Sequence, residues 1–186
     1  MPTASLARDR TVFATTSELP PDVDFVFAMD DAAAVRQGPD GARLEQVLAT
    51  LLPLQPLSAE LKLRWAALAA ALDFNDPEVM FDEVFGERVV IASRVDNTRT
   101  QATVLITDIS RAVENRIRRT LEPVPRRAHA GFNVLRPRGD QQFSMVLRRT
   151  ETGAKLYMTL ASHEELLDDV LELTQRANAR TLADEP

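Results

Sequence analysis

The stretch Glu87 to Leu121, ERVVIASRVDNTRTQATVLITDISRAVENRIRRTL, constrains the fold more than any other part of the chain, because it reads as two paired strands feeding directly into an amphipathic helix. Arg88 to Ala92 and Thr103 to Ile106 are β-branched apolar runs. The polar segment Arg94 to Arg99 between them carries Asp96-Asn97, which is a hairpin signal. Asp108 or Ser110 then offers a side-chain oxygen to the free N–H groups of a helix start, and Val113, Ile117 and Leu121 recur at four-residue spacing along one face. A β-β-α unit cannot bury both its sheet and its helix stripe, so the flanking segments must supply further strands and helices.

Before this unit, DVDFVFAMD at Asp22 to Asp30 has the period-two pattern of a half-buried strand, with Val23, Phe25 and Phe27 on one side. Asp31 is the expected N-cap of a short helix through Arg36. Gly38-Pro39-Asp40-Gly41 breaks the chain. Leu44, Val47, Leu48 and Leu51 then follow helical spacing, and Ser58 caps a longer helix with Leu61, Trp65, Leu68 and Leu72 as its stripe. Asp76-Pro77 starts another helix, with Met80, Phe81, Val84 and Phe85 inward and Gly86 as terminator.

After the unit, Pro123 and Pro125 read as a stiff connection. Three strands are expected from there: Ala128 to Arg136, Gln142 to Arg149, and a third around Leu156, Met158 and Leu160. Ser162 and Glu165 have capping-box spacing before a helix with Leu166, Leu167, Val170 and Leu171 on one face. The chain is therefore expected to be α+β: a mostly antiparallel sheet of about five to six strands with helices packed on one side, a ferredoxin-like variant with a helical insertion. Residues 1–18 read as a loose arm, with a short edge strand around Thr11 to Ala14. Residues 19–178 read as one domain and 179–186 as a frayed tail.

Composition narrows the chemistry. With no cysteine among 186 residues, disulfides, thiolate metal sites and cysteine nucleophiles are excluded. No segment approaches the roughly 18 apolar residues of a membrane span. Met1 to Pro21 has no apolar core of the kind a secretory signal needs, which leaves two readings: a cytoplasmic chain, or a mature or trimmed part of a longer one. The formal charge of −6 conceals an asymmetry. Arg111 to Arg149 holds ten arginines against Glu114, Glu122 and Asp140, an excess of seven positive charges, which leaves −13 for the remainder. Such a split either marks an anion or nucleic-acid surface or pairs one half of the protein with the other.

Three sets of residues are candidates for function. Arg116, Arg118, Arg119, Arg126, Arg127, Arg136 and Arg138 cluster in sequence and are the candidate anion-binding or nucleic-acid-binding set. Asp30 and Asp31 end a strand and are the candidate metal ligands, with Asp22 or Asp24 as company, although Asp in that position is first of all a helix cap. His129 and His163 are the only histidines, and neither sits in a recognised catalytic motif. No phosphate-binding glycine loop is present, and no cofactor is expected.

The segments L-P-P-D-V-D-F-V-F-A-M-D-D (Leu19 to Asp31), W-A-A-L-A-A-A-L (Trp65 to Leu72), F-G-E-R-V-V-I-A (Phe85 to Ala92) and A-T-V-L-I-T-D (Ala102 to Asp108) together resemble an uncharacterised group of bacterial α+β proteins. Members of that group are often secreted or membrane-tethered, and they have no assigned activity. The resemblance implies a fold more than an activity, and it implies a cell-envelope location if the chain is a trimmed part of a longer protein. The residues themselves point to a non-enzymatic interaction or structural module. Its expected partner is a protein or a second copy, paired along a sheet edge at Thr11 to Thr16 or at the strand around Phe132. Anion or nucleic-acid binding is the alternative, and a metal-dependent hydrolase built on the aspartates is a third reading.

Overall fold

The computed structural model describes residues 18–38, 63, 66–95, 101–129, 131–139, 142–161 and 164–175, with the side chains of residues 36, 101 and 125–129 outside that description. The expected strand at Thr11 to Ala14, the helix of Leu44 to Leu51, Ser58, Leu61, Trp65, Ser162 and His163 all lie outside the described residues.

The chain runs β1 (Phe25–Asp30), α1 (Ala32–Gln37), α2 (residues 66–71), α3 (Pro77–Phe85), β2 (Arg88–Val95), β3 (Gln101–Ser110), α4 (Arg111–Arg118), β4 (Leu121–His129), β5 (Phe132–Pro137), β6 (Phe143–Arg149), β7 (Gly153–Leu160) and α5 (Glu164–Leu173). The local reasons are the expected ones. Asp31 caps α1 through Ala34 N, Asp76 caps α3 through Glu78 N with Pro77 in its first turn, and Ser110 caps α4 through Val113 N. Thr107 Oγ1 donates to Val84 O at 2.9 Å, which ties the end of α3 to β3.

Among the described residues one seven-stranded sheet results, in the order β1-β2-β3-β7-β6-β5-β4, with every neighbouring pair antiparallel. Two meanders, β1 to β3 and β4 to β7, meet at the β3–β7 seam, where Ile106 stands opposite Tyr157. Helix α4 carries the chain from that seam to the far edge. Seven strands stand where five to six were expected, and two meanders joined this way do not by themselves make the sheet ferredoxin-like. The additional strand is β4. Pro123 and Pro125 lie within it, and its pairing with β5 shifts register between Pro123 and Ala128. Proline is tolerated there because β4 is an edge strand among the described residues, and outward N–H groups of an edge need no partner in the sheet. The expected strand Ala128 to Arg136 is in fact a hairpin, with His129 opposite Phe132 and Gly131 at φ +75° in its turn.

The helices lie on both faces of the sheet, not on one. Leu68, Leu72, Phe74, Met80, Val84 and Phe85 pack with Val113 and Ile117 of α4 against Val89, Ile109, Leu156 and Met158. On the opposite face, Leu166, Leu167, Val170 and Leu171 of α5 pack with Leu19 against Val90, Ala92, Val104, Ile106, Val146 and Tyr157. The cause is in the strands. The runs VVIA and TVLI are continuously apolar rather than alternating, and a strand apolar on both sides must be covered on both sides. β1 is the exception: Val26 and Ala28 face the α5 side and Met29 the other, while Phe25 is 41% exposed rather than inward. No helix among the described residues is long and apolar enough to cross a membrane.

Candidate functional site

The sequence-predicted residues are placed mainly by pairing within the protein. Asp30 accepts from Arg88 Nε at 2.8 Å, and the same guanidinium reaches Asp108 at 3.4 Å. Asp31 adopts the left-handed backbone that aspartate tolerates (φ 57°, ψ 53°), and its Oδ1 accepts from Ala34 N at 3.3 Å. The two acids therefore serve an ion pair and a helix cap. Among the described residues no group of three histidine or carboxylate side chains is placed to hold a metal ion.

Four of the candidate arginines meet carboxylates. Arg116 lies 3.2 Å from Glu83 and stacks over Phe74, 4.6 Å from the ring centre. Arg118 binds Glu114 at 2.8 Å one helical turn away. Arg138 binds Glu122 at 2.7 Å. Arg136 reaches Glu164 of α5 at 3.1 Å and Ser144 at 3.3 Å, and Ser144 in turn donates to Glu164. Arg119 is exposed, and the side chains of Arg126, Arg127 and His129 lie outside the described residues. Arg116 and Arg118 belong to the α4 face of the sheet and Arg136 to the α5 face, so Arg136 does not share a patch with those two.

A charged row crosses the sheet on the α5 side. Asp30, Arg88, Asp108, Lys155 and Arg148 follow one another over β1, β2, β3, β7 and β6. Next to it runs the apolar row Ala28, Val90, Ile106, Tyr157 and Val146. Glu18 closes the row from outside the sheet, accepting from Lys155 Nζ at 2.7 Å and from the Tyr157 hydroxyl at 2.8 Å, with Arg148 at 3.8 Å. Burial, and then the Glu18 charge, push the Tyr157 hydroxyl far above its ordinary range, so it stays a proton donor. These groups satisfy one another.

What remains open is a sheet edge. β1 pairs with β2 from Phe25↔Ser93 to Asp30↔Arg88 without a register shift, and its other side has no partner among the described residues. Its six residues, FVFAMD, contain no proline or lysine. At one end of it Phe25 and Val95 stand exposed, at 41% and 50%. Asp22, Asp24 and Asp31 flank it and Asp30 is its last residue; Arg94 holds Asp22 at 2.7 Å, and Asp24 Oδ2 accepts from Val95 N at 2.7 Å. The opposite edge, β4, carries two prolines and a register shift. The expected edge at Phe132 is corrected by the topology: β5 lies between β4 and β6, so the edge is β4. The Thr11 to Thr16 alternative lies outside the described residues. Sequence reasoning found β1 as a strand but not as the open edge, although the lack of proline or lysine within it was the available signal. Comparison with protein-family models, with curated proteins and with solved structures finds no match to this chain.

Proposed function

We propose that this chain is a non-enzymatic interaction module that takes an extended segment of a partner protein onto β1 as a further strand. The observation that carries the reading is the contrast between the two edges. β4 has two prolines and a register shift, whereas β1 has neither and is apolar from Phe25 to Met29. Main-chain N–H and C=O groups supply the attraction in this mode of recognition, and alternate side-chain contacts, here with Phe25 and Val95, supply selectivity. Arg94 holds Asp22 and Arg88 holds Asp30, so Asp24 and Asp31, whose carboxylates accept from main-chain N–H groups, are the charges that favour a partner strand ending in lysine or arginine. They disfavour a second copy, which would bring aspartates against aspartates. A cell-envelope assembly is the setting suggested by the sequence resemblance.

The test is titration of a dye-labelled peptide of alternating valine and threonine with a lysine at each end. Saturable binding is expected, weakened at least tenfold by Phe25→Lys and unchanged by Val79→Lys, which places the same charge on the exposed face of α3. Absence of binding, or equal binding by Phe25→Lys, contradicts the reading.

A further inference from the structure

On the α4 face, away from β1, a cleft of about 190 Å³ lies between the first turn of α4 and the hairpin turn joining β6 to β7. Arg111, Glu114, Asn115, Arg149, Thr150 and Gly153 line it. The β3–β7 seam brings these two segments together, with Ser110 opposite Gly153. From its charge pattern we infer that this cleft is a binding site for a small dianion of the phosphate type.

Glu114 sets up the electrostatics. Its side chain is 4% exposed, and it is held by Arg118 at 2.8 Å, with Arg149 at 3.5 Å. Two guanidiniums, those of Arg118 and Arg149, thus reach this buried carboxylate, and Arg111 lines the same cleft. Arg118 already matches its charge, which leaves Arg111 and Arg149 as the excess. Each is positioned differently. Arg111 is anchored at one nitrogen, which donates to Glu151 O at 3.1 Å. Arg149 is 81% exposed, so most of its donor fork is available to a ligand. A planar guanidinium fork matches two oxygens of a phosphate, and two such forks on opposite walls match a dianion better than a monoanion.

The neutral donors are complementary. Thr150 Oγ1 accepts from Gly153 N at 3.1 Å, which uses a lone pair and leaves the hydroxyl hydrogen to donate elsewhere. The Asn115 amide adds two more N–H groups on the α4 wall. The cleft has room for a phosphate group with a few further atoms, such as a small phosphomonoester. Gly153 is explained without a ligand: a Cβ there would lie 2.0 Å from Ile109 O, so strand packing alone requires it.

The experiment is calorimetric or NMR titration of the full chain with inorganic phosphate, and with acetate as the monoanion comparison, at low and moderate salt. Phosphate is expected to saturate and to bind at least tenfold tighter than acetate. Arg149→Ala is expected to weaken phosphate at least tenfold, and Arg149→Lys to recover only part of that loss, because lysine restores the charge but not the fork. Arg138→Ala, an exposed arginine on another part of the surface, is expected to leave binding unchanged. Arg149 is exposed, so its variants should fold, and a thermal melt confirms this before titration. Lack of saturation by phosphate overturns the inference. So does equal weakening by Arg149→Ala and Arg138→Ala, which would mean attraction by overall charge alone.

Discussion

The Tyr157 hydroxyl donates to Glu18 Oε2 at 2.8 Å, joining the segment that enters the fold to the central strand of the sheet. Tyr157 is the chain's single tyrosine and is fully buried, so its ionisation can be read without interference from another. Its folded-state pKa is raised above the ordinary 10.0, first by burial and then by the Glu18 charge. The contribution to stability is therefore complete below about pH 10, and it falls as pH rises further, because the unfolded chain loses the proton first. The expected slope is about 1.4 kcal/mol per pH unit. Absorbance at 295 nm should show no tyrosinate until the protein unfolds, and Tyr157→Phe should remove that part of the alkaline slope. A reversible tyrosinate step near pH 10 in the folded protein would contradict the assignment.

Arg136 and Arg138 lie two positions apart but should respond very differently to substitution. Arg136 holds Glu164, whose side chain is 7% exposed, while Arg138 and Glu122 are both largely in water. Arg136→Ala leaves a buried carboxylate with one partner fewer. After allowance for partial exposure of the guanidinium, it should cost roughly 2 to 3 kcal/mol. Arg138→Ala should change stability by less than about 0.5 kcal/mol. Urea denaturation of both variants checks the difference, and equal losses would show that the Arg136–Glu164 pair has no structural weight.

Two glycines separate packing from backbone strain. At Gly153 an added Cβ meets Ile109 O at 2.0 Å and Ser110 C at 2.9 Å, both backbone atoms of the β3–β7 seam. Gly153→Ala must push the two meanders apart, and it is expected to cost about 3 kcal/mol or more. At Gly139 an added Cβ meets nothing within 4 Å, and only the φ of +79° opposes it. Gly139→Ala should therefore cost about 1 to 2 kcal/mol. Thermal melts of the pair give the comparison, and a Gly153→Ala protein as stable as wild type would contradict the seam geometry.

The parts of the fold that were legible in the sequence are those written locally. The caps Asp31, Asp76 and Ser110, the Val113 and Ile117 stripe, and the α5 residues Leu166, Leu167, Val170 and Leu171 all fall where their spacing places them. β4 was hidden because Pro123 and Pro125 read as a break, and they are tolerated only by a strand already known to be at an edge. The second helical layer was present in the unalternating VVIA and TVLI runs, but a continuous apolar run does not say what covers it. Period two puts Phe25 on one side of the strand with Val23 and Phe27 but does not say how far it is covered, and its exposure follows from its place at the end of an edge strand. The arginines show the same limit. Nothing local links Arg136 to Glu164 or Arg111 to Arg149, since both relations depend on how the meanders are joined.

The central claim is that β1 is an open edge that accepts a partner strand, and amide hydrogen exchange along β1 tests it most directly. In the free protein, outward-facing amides of Phe25–Asp30 should exchange much faster than those of β2, β3 and β7, which are paired on both sides. Adding the lysine-ended peptide should slow exchange at alternate β1 positions and leave β4 unchanged. Protection of every β1 amide in the free protein, or no change on adding the peptide, would contradict the account.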